Sequence, residues 1–112
     1  MSAKVKVIGD VAVFSVDGNL MGGNETDECH AKIKELIGRG TKKVVINLSA
    51  AEWVNSRGLG MMMACYTSLK NAQGEFRICG TTKKIRSLLQ ITKLDTIFEA
   101  YDDVDKAVRS FT

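Results

Sequence analysis

The stretch "VVINLSAAEWVNSRGLGMMMACY", Val44 to Tyr66, decides how the chain is read. Val44-Val45-Ile46-Asn47-Leu48 is a short, nearly continuous run of β-branched and aliphatic residues, the pattern of a strand covered on both faces. A polar loop, Ser49 to Asn55, separates it from a segment whose apolar residues recur at helical spacing from about Arg57 to Asn71. Strand, loop and helix in this order form half of a βαβ unit, so the rest of the chain is searched for its continuation.

Downstream, Phe76-Arg77-Ile78-Cys79 reads as the next strand, with Gly74 ending the helix before it. Thr82 is placed to cap a helix carrying Ile85, Leu88, Leu89 and Ile91. Thr96 to Tyr101 reads as a last strand, and Asp102 or Asp103 caps a terminal helix with Val104, Ala107, Val108 and Phe111. Upstream, Lys4 to Ile8 and Val11 to Val16 alternate around Gly9-Asp10 as a hairpin, the order Gly-Asp fitting a II′ turn better than I′. From Asn24 the period becomes helical through Cys29, Ile33, Leu36 and Ile37, for about three turns, with Asn24 or Thr26 as cap and Gly38 and Gly40 as the stop. The expected fold is α/β: one domain over residues 1–112, a mixed, mostly parallel sheet of four to five strands, and about four helices.

With 112 residues, 45% hydrophobic and 26% charged, the composition is that of one globular domain, read as soluble and cytoplasmic. No apolar run approaches the ~18 residues of a membrane span, and no signal-peptide order opens the chain. The net charge of +3 is spread along the chain without interleaved aromatics, so direct nucleic-acid binding is not expected. Three widely spaced cysteines, Cys29, Cys65 and Cys79, with His30 as the sole imidazole, offer no zinc or disulfide framework and read as small buried hydrophobes. No metal or cofactor is expected.

Ser56 is the residue these constraints leave to explain. As a nucleophile it lacks a base in sight, and Val54 stands where G-x-S-x-G needs its first glycine, with Gly58 alone in place. Gly58-Leu59-Gly60 lacks the third glycine of a dinucleotide loop, because Met63 occupies that position. Gly80-Thr81-Thr82-Lys83 fails the phosphate-loop spacing. As a helix cap Ser56 would contribute ~1 kcal/mol, and at the start of a helix beginning at Arg57 a phosphate on it would also be well placed. Gly58 and Gly60 either let a partner approach or let the helix pack on its own sheet. Successive helical residues rotate by ~100°, so at least one of Met61, Met62 and Met63 is expected at the surface as an adaptable apolar contact, a role given to Met62.

The order of elements, and above all Asn55-Ser56-Arg57-Gly58-Leu59-Gly60 after Asn47-Leu48-Ser49, resembles the STAS family and in particular the bacterial anti-sigma-factor antagonists. "LLQITKLDTIF" and "DDVDKAV" are similar to that family's third helix, last strand and final helix. The resemblance implies a non-catalytic partner switch. Unphosphorylated, such a domain binds an anti-sigma factor that is also a serine kinase; phosphorylation from ATP ends binding, and a PP2C-type phosphatase restores it. By position the phosphoacceptor is Ser56, flanked by Asn55, Arg57, Gly58, Leu59 and Gly60 as partner-binding residues, to which the methionine surface adds Met62. Asn55 and Arg57 stand where the family's Asp-Ser-Ser-Gly-Leu-Gly signature has aspartate and serine, and Asn47 also replaces an aspartate. The alternatives are a STAS interaction module of a transporter or sensory complex without phosphoswitching, and a small nucleotide-binding protein or hydrolase.

Overall fold

The computed structural model of the protein describes residues 2–17, 24–51 and 53–111. Its elements run β1 (Ser2–Ile8), β2 (Val11–Asp17), α1 (Asn24–Gly38), β3 (Lys43–Ala50), α2 (Ser56–Asn71), β4 (Glu75–Cys79), α3 (Lys83–Ile91), a 3-10 turn (Leu94–Thr96), β5 (Glu99–Tyr101) and α4 (Val104–Arg109). The five strands form one sheet in sequence order, β1 antiparallel to β2 and every later pair parallel. This is the mixed, mostly parallel α/β sheet expected. Gly9 takes φ +63° while Asp10 keeps a negative φ, the combination a II′ turn requires.

Because the parallel strands follow one another across the sheet without reversal, right-handed crossovers place α1, α2 and α3 on the same face. The packing agrees. Phe14, Val44, Ile46, Leu48, Phe76 and Ile78 pack with Cys29, Ile33, Met62, Cys65, Leu69, Ile85 and Leu89. The neighbouring residues of the same strands, Val11, Val13, Val45 and Cys79, face the other way and are covered by Ala107 of α4, with Val108 and Phe111 beside it. On that second face Arg77 is 8% exposed; its guanidinium pairs with Glu99 at 3.1 Å and lies 4.1 Å from the centre of the Phe111 ring.

The structure changes some details of these elements and settles others. Helix α1 runs for 15 residues, beyond three turns, with Gly38 its last residue, and is stopped as expected by the turn through Gly40, which takes φ +101° while Thr41 N–H reaches back to the Leu36 carbonyl. The cap expected at Asn24 or Thr26 rests on side chains outside the described set. Residues 94–98 are a turn rather than the start of a strand, because the Ile97 and Phe98 amides both bond the Leu94 carbonyl and Phe98 goes into the core. Asp103, not Asp102, caps α4 by accepting from Lys106 N–H.

Helix α2 ends at Asn71 as expected, but Gly74 serves there in a different role. Gln73, not Gly74, takes the left-handed conformation (φ 62°), while Gly74 N–H bonds the Leu69 carbonyl and Glu75 N–H bonds Lys42 O at 2.7 Å. A Cβ on Gly74 would stand 2.6 Å from Lys42 O and 3.0 Å from Leu69 Cδ2. Glycine is needed there for close backbone approach. We therefore expect Gly74→Ala to cost about 1–3 kcal/mol through overpacking, and Gln73→Gly to add roughly 0.5–1 kcal/mol by relieving a side chain at positive φ. Opposite shifts of the urea midpoint, with the slope unchanged, would show it.

Candidate functional site

The carboxyl ends of β3 and β4 lead into the loops before α2 and α3, so Ser56 and Thr82 open helices at the same rim of the sheet. The β3–α2 loop is anchored from within: Ala51 and Val54 are fully buried, and Ala51 N–H bonds Leu48 O at 3.0 Å. Trp53 between them is 39% exposed. Asn47 braces the opposite side of the rim. Its amide donates to Ser15 Oγ at 3.3 Å, and its Oδ1 accepts from Ser49 N–H at 3.1 Å. Asn47 thus lies in register with Ser15 and Cys79 on the α4 face rather than beside Ser56.

The start of α2 corrects the expected cap. Asn55, at φ −92° and ψ −177°, is the N-cap: its Oδ1 accepts from Gly58 N–H at 3.0 Å, and its carbonyl accepts from Leu59 N–H at 2.9 Å. Ser56 is the first helical residue, exposed, and does not cap. The reason is a one-residue shift of the helix start, to which an asparagine is as well suited as a serine. This also accounts for asparagine where the family has aspartate, since the capping oxygen is retained. Arg57 follows, exposed, and no acidic residue lies in this first turn.

The predicted partner residues separate by burial. Asn55 is half-buried, and Ser56, Arg57 and Gly60 are exposed. Gly58, Leu59 and Met62 are buried, Met62 with no exposed surface at all. Met62 therefore cannot supply the apolar contact assigned to it; its position on α2 points it into the core, and among the three methionines Met63, half-buried, is the one nearest the surface. The two glycines part in the same way. A Cβ on Gly60 would meet nothing within 4 Å. Gly60→Ala should accordingly raise stability by about 0.5–1 kcal/mol, read as a higher melting temperature; unchanged or lower stability would mean that the position is crowded.

The remaining sequence candidates are occupied with structural work. Thr82 Oγ1 caps α3 by accepting from Ile85 N–H at 3.3 Å, as expected. Gly80, at φ +69°, lies against Ser49 and donates its N–H to Tyr101 O at 3.1 Å. All three cysteines are buried, and burial pushes the Cys29 and Cys79 thiols up to about 11 and Cys65 to about 12, far from thiolate chemistry at neutral pH. His30 is half-buried; its Nε2 is shielded, and desolvation followed by Lys34 lowers its pKa against the pull of Asp27. Among the described residues no helix is long and apolar enough to cross a membrane.

Comparison with known proteins places this geometry. The structure superposes on a crystal structure of an anti-sigma factor antagonist from Mycobacterium paratuberculosis with a TM-score of 0.82 at 27% identity, covering 97% of this chain and 92% of that one. It also superposes on the anti-sigma factor antagonist SpoIIAA in its unphosphorylated form, TM-score 0.85 at 16% identity, over 98% of this chain and 96% of that one. The phosphorylated form of SpoIIAA from Bacillus gives 0.80 at 16% identity, over 99% and 100%. The STAS domain model matches residues 2–107. With a five-stranded sheet ordered β1 to β5, the Ser56 helix start at its rim and a family match over nearly its whole length, the chain belongs to the STAS domain family.

Proposed function

We propose that this chain is an anti-sigma-factor antagonist that alternates between two states of Ser56. Unphosphorylated, it binds an anti-sigma factor that is also a serine kinase and so releases the sigma factor. The kinase transfers the γ-phosphoryl group of ATP to Ser56 Oγ, which loses its proton as ADP leaves, and binding ends. A PP2C-type phosphatase hydrolyses the ester and resets the switch. The domain itself catalyses none of these steps.

The observation that carries this reading is the division of labour between Asn55 and Ser56. Since Asn55 caps the helix, the Ser56 hydroxyl stands exposed without a capping duty, at the positive end of the α2 macrodipole and next to Arg57. A phosphate of charge about −1.5 to −2 is favoured there by the helix end and by a neighbouring guanidinium, so modification would change the surface without opposing the fold. Asn55, Arg57 and Gly60 are the surface around it, with Gly58, Leu59 and Met62 beneath. That SpoIIAA has been solved in both forms, and that this chain superposes on both, supports the same conclusion.

The test is the intact mass of the protein isolated from its native cells, with the modified residue located by fragmentation. A phosphate on Ser56 is the expected result. Its absence in both growing and stressed cells would overturn the switch and leave a constitutive STAS interaction module.

A further inference from the structure

Helix α3 carries two apolar stripes where packing on the sheet needs one. Ile85 and Leu89 are buried in the core. Around the helix, Leu88 is half-buried and Ile91 is 78% exposed. Lys84, Leu88 and Ile91 follow one another at i, i+4 and i+7, so they share a face distinct from the core stripe. That face and Trp53, from the loop that leads to Ser56, form the walls of a groove of about 480 Å³ lined by Trp53, Lys83, Lys84, Ser87, Leu88 and Ile91.

Single exposed apolar residues are ordinary, but an isoleucine and a tryptophan left partly bare around one concave surface mark a place of contact. The charge of the groove is one-sided. Its two ionisable residues are lysines, both in the first turn of α3, which holds no acidic residue. Cations at a helix start oppose the macrodipole, where carboxylates would support it. The arrangement works against the helix and in favour of an incoming negative group.

We propose that this groove docks an acidic amphipathic helix of a partner protein, one apolar side chain lying between Trp53, Leu88 and Ile91 while carboxylates meet Lys83 and Lys84. An apolar anchor with charged flanks is the way such helices enter grooves. The docking needs no phosphate and is separate from the switch. It adjoins it all the same, since Trp53 precedes Ser56 by three residues, at most about 11 Å of extended chain.

Trp53 is the sole tryptophan of the chain, so its emission reports on the groove directly. The full chain carrying Ser56→Ala is titrated with a synthetic helical peptide bearing leucines at i, i+4 and i+7 flanked by glutamates, and with a counterpart in which lysines replace the glutamates. The acidic peptide is expected to shift the emission saturably to shorter wavelength, and the basic one to leave it unchanged. Ile91→Asp, and separately Lys83→Glu with Lys84→Glu, should weaken the acidic peptide by at least roughly tenfold, with Ile91→Ala as a milder variant should either lose its fold. Equal response to both peptides, or no response to the acidic one, would overturn the proposal. A shift produced by anionic phosphatidylglycerol vesicles with none from the acidic peptide would overturn it in favour of a membrane-facing role. Because Ser56 is alanine throughout, any of these failures leaves the reading of Ser56 standing.

Discussion

Met62→Lys is expected to destabilise the fold severely rather than to weaken a surface contact. Met62 has no exposed surface and belongs to the cluster formed by the sheet and α1, α2 and α3. A lysine there must bury an ammonium without a partner or displace the helix, either of which costs on the order of 4–5 kcal/mol. A chain of 112 residues has about 6–17 kcal/mol in all at ~0.05–0.15 kcal/mol per residue. A fall in melting temperature of about 15 °C or more is therefore expected. Met62→Leu conserves volume and should cost less than ~1.5 kcal/mol, with partner binding unchanged. A Met62→Lys protein that melted like the parent yet lost its partner would return Met62 to the interface and contradict its burial.

Ser56→Asp should separate stability from binding. At the first position of α2 a carboxylate faces the positive end of the macrodipole, so the variant is expected to be as stable as the parent or more stable by roughly 0.3–1 kcal/mol. Binding to the anti-sigma factor should move the other way, by about 100-fold or ~2.7 kcal/mol, because a new charge is placed in a surface that must be desolvated. Ser56→Ala removes no capping bond, since Asn55 holds that role, and should bind within about twofold of the parent, well under ~1 kcal/mol. Thermal melts and calorimetric titrations of the three proteins measure both quantities. If Ser56→Asp and Ser56→Ala bound equally well, Ser56 would not be the switch. A loss of binding that accompanied a loss of fold would likewise remove the support for it.

The contrast between Met62 and Ser56 shows where reading the chain works. Both lie on the first turns of α2; Ser56 was assigned to the partner surface by its place in the motif and Met62 by the rotation of three successive methionines. Burial separates them, and nothing in their immediate neighbours announces which is which. Asn55 and Ser56 pose the same difficulty at the helix start, because either side chain makes a good cap and the choice depends on a single residue of register. Gln73 and Gly74 repeat it at the helix end. A left-handed position normally attracts glycine, yet here the glycine is taken by the backbone of Lys42.

The amino-acid sequence by itself determined the alternation of strand and helix from residue 43 onward, the opening hairpin with its II′ turn, the cap at Thr82, a cap at either Asp102 or Asp103 and the motif around Ser56. These depend on periods of 2 and 3.6 and on side chains acting within a few residues of their own backbone. Only the tertiary structure decided that α1, α2 and α3 share one face while α4 covers the other, that Met62 points inward while Gly60 opens to solvent, and that Trp53 meets Ile91 across a groove. Each of these depends on how a helix is rotated as it docks on the sheet. At ~100° per residue, a choice of rotation moves a side chain from core to surface while leaving the local pattern unchanged.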